Sequence, residues 1–239
     1  MKYPTVSALC EGVAGAIKEK EGSSALINPQ DFVDRIKGLE VGGGASLADS
    51  VKRGVFIQHK NGHELYTVDT WKALGWGEQY ANGIAVVYDG VGFVIAKTGL
   101  GYLPWSSDAS NLVDGILTTT SNAEAEKDFA GAANTALMLA TDTSGAAYAC
   151  NNYIFPSGAK GYLPSLGELE IVCRLTSSIN AATTALGGSS PVGNHWSSTQ
   201  GESTKAWAMY LGTTMADSYL EKKGDTLSIK VHPFTTLEL

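Results

Sequence analysis

The sequence predicts an α+β fold: a main domain with short antiparallel strands at both ends and two helices between them, preceded by a small helical segment. Three observations carry this. Apolar residues recur at spacings of three and four within the first forty residues, and from residue 54 onward the pattern changes to short β-rich runs punctuated by glycine. Between the early and late runs lie an Ala-rich, helix-permissive stretch and a second helical pattern with its own start signal.

Val6, Leu9, Val13 and Ile17 place one apolar stripe on a first helix. A second follows, with Asn28 as cap, Pro29 in the first turn and Phe32, Val33, Ile36 and Leu39 as its apolar face. Gly42-Gly43-Gly44 then breaks the pattern. Residues 1–41 therefore read as a helical attachment or oligomerisation segment, 42–53 as a Gly-containing linker, and 54–239 as the ligand-binding domain. Two helices this short make no substantial core alone, so they pack on the main domain, on copies of themselves or on a larger assembly.

In the main domain, 54–57, 83–88 and 92–96 read as strands, with Asp89-Gly90 as a hairpin turn. Residues 122–140 read as a helix whose buried face holds Ala125, Phe129, Ala132 and Ala133. A second helix runs from Ser165 to about Leu175, with Glu168 in its first turn and Leu166, Leu169, Val172 and Cys173 as its stripe. Strands return at 206–211, 217–220 and 227–231, so the two ends of the domain are expected to meet. Gly-Tyr-Leu-Pro occurs at 101–104 and 161–164, but the flanks differ and no repeat is implied.

Composition narrows the function classes. The 239 residues are 44% hydrophobic and only 17% charged, so the surface is rich in small polar residues. A formal net charge of −7 disfavours nonspecific attraction to nucleic acid, and no nucleic-acid partner is expected. Cys10, Cys150 and Cys173 lack metal-ligand spacing; Cys150 and Cys173 are either bridged or free thiols. The first residues lack the apolar run of about 7 to 15 residues of a secretory signal, and no stretch reaches the roughly 18 apolar residues of a membrane span. The expectation is a protein made in the cytoplasm without a signal peptide and not inserted in a membrane.

Catalytic patterns are missing. Neither Gly188-Ser189-Ser190 nor Gly201-Glu202-Ser203 makes a nucleophile elbow, and no phosphate loop occurs. His63-Glu64 begins like a zinc-protease helix, but Thr67 stands where the second His belongs. His59, His63, His195 and His232 are widely separated, and Glu168 and Glu170 point apart on a helix. No enzyme activity, metal or cofactor is expected.

Asp128-Phe129-Ala130-Gly131, Asn134-Thr135, Ala147-Tyr148-Ala149-Cys150, Gly161-Tyr162-Leu163-Pro164-Ser165 with Gly167-Glu168-Leu169, His195-Trp196-Ser197-Ser198-Thr199, Ala206-Trp207 and Val231-His232-Pro233 follow one another in order. Over roughly residues 80 to 234 this resembles the Fibrobacter-type paralogous domain, also found at the C-terminus of Legionella collagen-like adhesins and common in gut Bacteroidales and their phages. The resemblance implies a C-type-lectin-like fold, shared with formylglycine-generating enzymes and with the variable proteins of diversity-generating retroelements. In those variable proteins a Trp-Ser-Ser-Thr-like segment introduces a region whose exposed side chains change while the frame persists. This sequence departs at two positions: His195 stands where Tyr is usual, and His232 where Arg is common. The first forty residues also resemble N-terminal segments of phage tail proteins.

On 206–211, alternation sends Trp207, Met209 and Leu211 to one face and Ala208 and Tyr210 to the other. Trp196, Trp207, Met209, Leu211 and Val231 are therefore expected as frame. His195, Gln200, Glu202, Ser203, Thr204, Lys205, Tyr210, Thr213, Met215, Asp217 and Tyr219 are expected as the ligand-binding display, a mixture of Tyr and small polar groups that suits recognition. Ser190-Pro191-Val192 does not match the calcium-dependent sugar motif of lectins, so no calcium site is expected.

The resemblance thus implies a noncatalytic receptor-binding protein, associated with a virion through its N-terminal helices and tail structural proteins. Its ligand would be a protein or glycan on a bacterial cell surface, with self-association left open. A bacterial surface adhesin and a formylglycine-generating type of enzyme are the alternatives. The enzyme is disfavoured because no cysteine follows Cys173.

Overall fold

Strand-forming runs and tight turns organise the main domain into two five-stranded sheets. In the computed structural model the described residues are 53–61, 64–107, 110, 112–212, 216–222 and 229–237. The expected N-terminal helices, nearly all of the linker, His63, Thr213 and Met215 lie outside them.

Sheet 1 contains β1 (Arg53–His59), β2 (Leu65–Tyr66), β3 (Ala81–Tyr88), β4 (Val91–Ile95) and β10 (Phe234–Thr236), in the order β10-β4-β3-β1-β2. Its described pairings are antiparallel, and the C-terminal strand β10, which the sequence pattern did not mark, closes against β4; the expected terminal strands at 54–57 and 227–231 do not meet, because they lie in different sheets. The β3–β4 turn is the predicted Asp89-Gly90, with φ of 46° and 89° at its two central residues, the left-handed geometry that suits a two-residue hairpin.

Sheet 2 contains β5 (Gly101–Tyr102), β6 (Gly193–Gln200), β7 (Lys205–Leu211), β8 (Ala216–Glu221) and β9 (Ile229–Val231), in the order β5-β9-β6-β7-β8. The β6–β9 pair is parallel, and the other described pairs are antiparallel. The chain crosses between the sheets twice, through residues 96–100 from β4 to β5 and through His232-Pro233 from β9 to β10.

Six helices, rather than the two expected, stand among the described residues: α1 (Val68–Ala73), α2 (Asn122–Ala125), α3 (Gly131–Thr141), α4 (Gly145–Asn152), α5 (Leu166–Arg174) and α6 (Thr176–Ala185). The single helix expected over 122–140 is broken because the Asp128 side chain accepts the Ala130 N–H at 2.9 Å and turns the chain before α3 begins. This restart changes the helical phase. Gly131, Asn134, Thr135 and Met138 face inward, whereas Phe129, Ala132 and Ala133, expected on the buried face, are exposed. In α5, by contrast, Ser165 is the N-cap and its N–H donates to Glu168 Oε2 at 2.8 Å, as the capping signal predicts.

Two-residue alternation divides the core. Ile57, Ile84, Val86, Phe93 and Ile95 of sheet 1 pack with Leu169 and Val172 of α5, Ile179 of α6 and Trp207, Met209 and Leu211 of β7. The opposite face of β7 gives Ala206 and Ala208 to a second cluster with Trp105, Trp196, Met138, Cys150 and Val231. A third, smaller cluster forms on the outer face of sheet 1 around Phe56, Val87, Val94 and Phe155. Cys150 and Cys173 are free thiols, the first buried and the second half-buried, which resolves the pairing left open by the sequence. The described helices include none long and apolar enough to cross a membrane.

Candidate ligand-display surface

The polar run after Trp196 faces inward and is used there. Ser197 Oγ donates to Trp207 O at 2.9 Å, and Thr199 Oγ1 donates to Asp128 Oδ2 at 2.7 Å while accepting from Leu166 N at 3.0 Å. Asn134 Nδ2 donates both to Asp128 Oδ2 at 2.9 Å and to Ser198 Oγ at 3.2 Å. Pieces of the sequence pattern separated by about seventy residues thus meet as one buried network joining α3, α5 and β6. Backbone register explains the access: β6 leaves its pairing with β7 between Trp196 and Gln200, and Ser198 N turns to Pro164 O at 2.7 Å.

Gln200 clamps a neighbouring loop. Its Oε1 accepts from Val113 N at 2.8 Å and from Lys222 Nζ at 3.3 Å, and its Nε2 donates to Val113 O at 3.0 Å and Thr118 Oγ1 at 3.2 Å. Lys222 is fully buried; its ammonium also donates to Ser203 O at 3.0 Å and lies 4.6 Å from the centre of the Trp105 ring.

The eleven expected display residues separate into groups. Glu202, Ser203 and Thr204 are exposed in the β6–β7 turn, and half-buried Lys205 pairs with Glu202 at 3.8 Å. Tyr210 is half-buried at the other end of β7, opposite Asn194. Lys205 and Tyr210 are five residues apart on this strand, a rise of about 17 Å at roughly 3.4 Å per residue. Asp217 and Tyr219 lie on β8, opposite Met209 and Trp207. The expected single patch is therefore two ends of a hairpin with the edge strand β8 alongside.

His195 and Gln200 correct the expectation. Each is at most 1% exposed, so neither displays its side chain. Gln200 is held by the clamp described above. His195 Nδ1 faces Gly193 O at 2.9 Å, and its ring stands 5.9 Å from that of His232, so two histidines 37 residues apart in sequence face each other. Burial first, then the neighbouring His232, push the His195 pKa down to about 3. Burial likewise pushes His232 down to about 4 against the opposing pull of its bond to Ala96 O.

A cleft of about 410 Å³ went unforeseen, because its walls come from distant segments: the Gly90–Gly92 turn, the start of α3, and Thr236. Tyr162 and Glu168 line it and are already bonded to each other, phenol donating to Oε1 at 2.8 Å, while Phe129, 46% exposed, forms part of its wall. Burial raises the Glu168 pKa to about 7, against the stabilising donations from Ser165 and Tyr162. A carboxyl with a folded pKa above its unfolded value contributes stability fully below about pH 4.5 and loses it as pH rises through 7. Glu168→Gln is therefore expected to gain about 3 kcal/mol relative to wild type between pH 4.5 and 7.5. Urea unfolding across this range measures it, and a pH-independent difference refutes the assignment.

Among the described residues no three His, Cys, Asp or Glu side chains gather as a metal site. No family model matches the chain, and no curated protein matches it. Among solved structures, a fimbrial protein from Bacteroides ovatus ATCC 8483 is similar over 77% of this chain and 42% of that one, with 16% identity and a TM-score of 0.45. The chain spans less than half the length of that protein.

Proposed function

We propose that this protein is a noncatalytic binding protein, in which a C-type-lectin-like domain of the Fibrobacter-type paralogous kind presents the β6–β7–β8 hairpin edge to a ligand. In this reading residues 1–41 attach it to a phage tail or similar particle, and the ligand is a protein or glycan on a bacterial cell. The observation that carries the reading is the internal commitment of Ser197, Ser198, Thr199 and Gln200. Side chains tied this fully hold the strands in one geometry, while the adjoining Glu202, Ser203 and Thr204 remain exposed and free to vary without disturbing the core. A rigid pair of strands with a replaceable polar tip suits recognition, since little ordering entropy is lost on binding.

The test is binding of the intact chain to a panel of bacterial cells. Combined Glu202→Ala, Ser203→Ala and Thr204→Ala substitution is expected to weaken binding at least about tenfold, equivalent to ~1.4 kcal/mol. Tyr210→Ala is expected to act in the same direction, with the melting temperature of the tip variant changed by no more than about 2 °C. Binding that survives both changes refutes this surface.

A further inference from the structure

We infer that His195 and His232 form an acid-sensitive latch at the seam between the two sheets, and that protonating the pair releases the crossing from β9 to β10. This goes beyond the binding reading and is independent of it. Both inter-sheet crossings meet at His232. Its Nε2 donates to Ala96 O at 2.6 Å, Ala96 N donates to Pro233 O at 3.0 Å, and Leu100 N donates to Val231 O at 2.8 Å. The short His232-Pro233 link is thereby strapped to residues 96–100, continuous with the direct pairing of β10 on β4.

Each imidazole faces a carbonyl with one nitrogen, so that nitrogen carries the proton and the neutral ring leaves the other bare. On His232 the bare Nδ1 is turned to Gly99, where even a Cβ would stand 3.1 Å away. Among the described residues no opposite charge favours a second proton on either ring: the charged or titratable groups acting on the pair are the two rings themselves and Lys230 of β9, whose ammonium is held on Val192 O at 2.6 Å. From the other packed elements, β7 presents Met209 opposite His195, β5 presents Tyr102 opposite Lys230, and Lys97 of the first crossing is paired with Glu78. Burial, which holds both imidazoles neutral in the closed state, is lost when the crossing lifts.

An imidazole released to solvent has a pKa of about 6.5, so below that pH the open state takes up protons that the closed state refuses. Each ring then favours opening by up to about tenfold per pH unit. Glu168 acts in the opposite sense through its raised pKa, and Asp142, held down to about 2 against burial by bonds from Ser106, Ser107 and Ser144, titrates lower. Because Glu168 titrates across the same range, the effect of the pair is read between about pH 6 and 4.5 with Glu168→Gln as the parent protein, in which the opposing contribution is removed.

Hydrogen exchange at the Ala96 and Leu100 amides of the intact chain, corrected for intrinsic exchange rates, reads the opening directly. The logarithm of the opening constant is expected to rise with a slope approaching two per pH unit as the pH falls through this window. The slope is expected to fall to about one in His232→Gln and to near zero in the His195→Gln/His232→Gln double variant. A flat profile in the Glu168→Gln parent overturns the latch. Should a variant fail to fold, the wild-type imidazole nitrogen shifts decide: both rings neutral at pH 5 support the proposal, and a ring that titrates near 6.5 in the folded protein overturns it.

Discussion

Gly167→Ala is expected to destabilise the domain by about 3 kcal/mol or more, although helix propensity alone favours alanine by about 1 kcal/mol. Gly167 is the second residue of α5, where its N–H donates to Asp128 O at 3.0 Å. A Cβ at this position would stand 2.6 Å from Asp128 O, 2.6 Å from Glu126 O and 2.7 Å from Phe129 Cε1. Two of these three are backbone atoms, so no side-chain rotation relieves the overlap. The segment 126–129 must retreat from α5, and the Asp128 network moves with it. Gly158→Ala is the control: nothing lies within 4 Å of its Cβ, but its φ of 90° costs a side chain roughly 1–2 kcal/mol. Chemical denaturation of both variants separates the terms. A Gly167→Ala protein as stable as wild type would mean that α5 does not approach the 126–129 segment this closely.

How much was legible in the sequence depended on whether the signal was local. The Asp89-Gly90 hairpin, the α5 cap and the alternation of Trp207, Met209 and Leu211 all rest on neighbours within a few residues, and all appear in the structure. Residues 122–140 misled because Ala tolerates either side of a helix, so the phase was set by a side chain, Asp128, whose bond to Ala130 N carries no periodic signature. The candidate surface was read less well. His195 and Gln200 looked exposed because polar residues beside Trp196 have no local reason to be buried. Their partners, His232 and the 113–118 loop, lie far away in sequence. Gln200 is polar for the interior rather than for solvent.

The same inversion predicts the second large effect, at Asp128. Its carboxylate accepts from Ala130 N at 2.9 Å, Asn134 Nδ2 at 2.9 Å and Thr199 Oγ1 at 2.7 Å, and it is 6% exposed. Donations to a charged acceptor contribute about 1.5–3 kcal/mol each. Recovering the desolvation of one carboxylate offsets part of the sum, so Asp128→Ala is expected to cost about 4 kcal/mol. Asp128→Asn does not rescue it: with the amide in either orientation its NH₂ meets another donor, Ala130 N on one side or Asn134 Nδ2 on the other. Thr199→Val keeps the shape but removes the hydroxyl, which also accepts from Leu166 N at 3.0 Å; its expected cost is about 2 kcal/mol. Because the two residues share one bond, the double variant should cost less than the two single costs added together, with a coupling of about 1 kcal/mol or more. Strict additivity would mean that the Thr199–Asp128 bond itself contributes nothing, and a neutral Asp128→Asn would mean that the donors do not require a carboxylate.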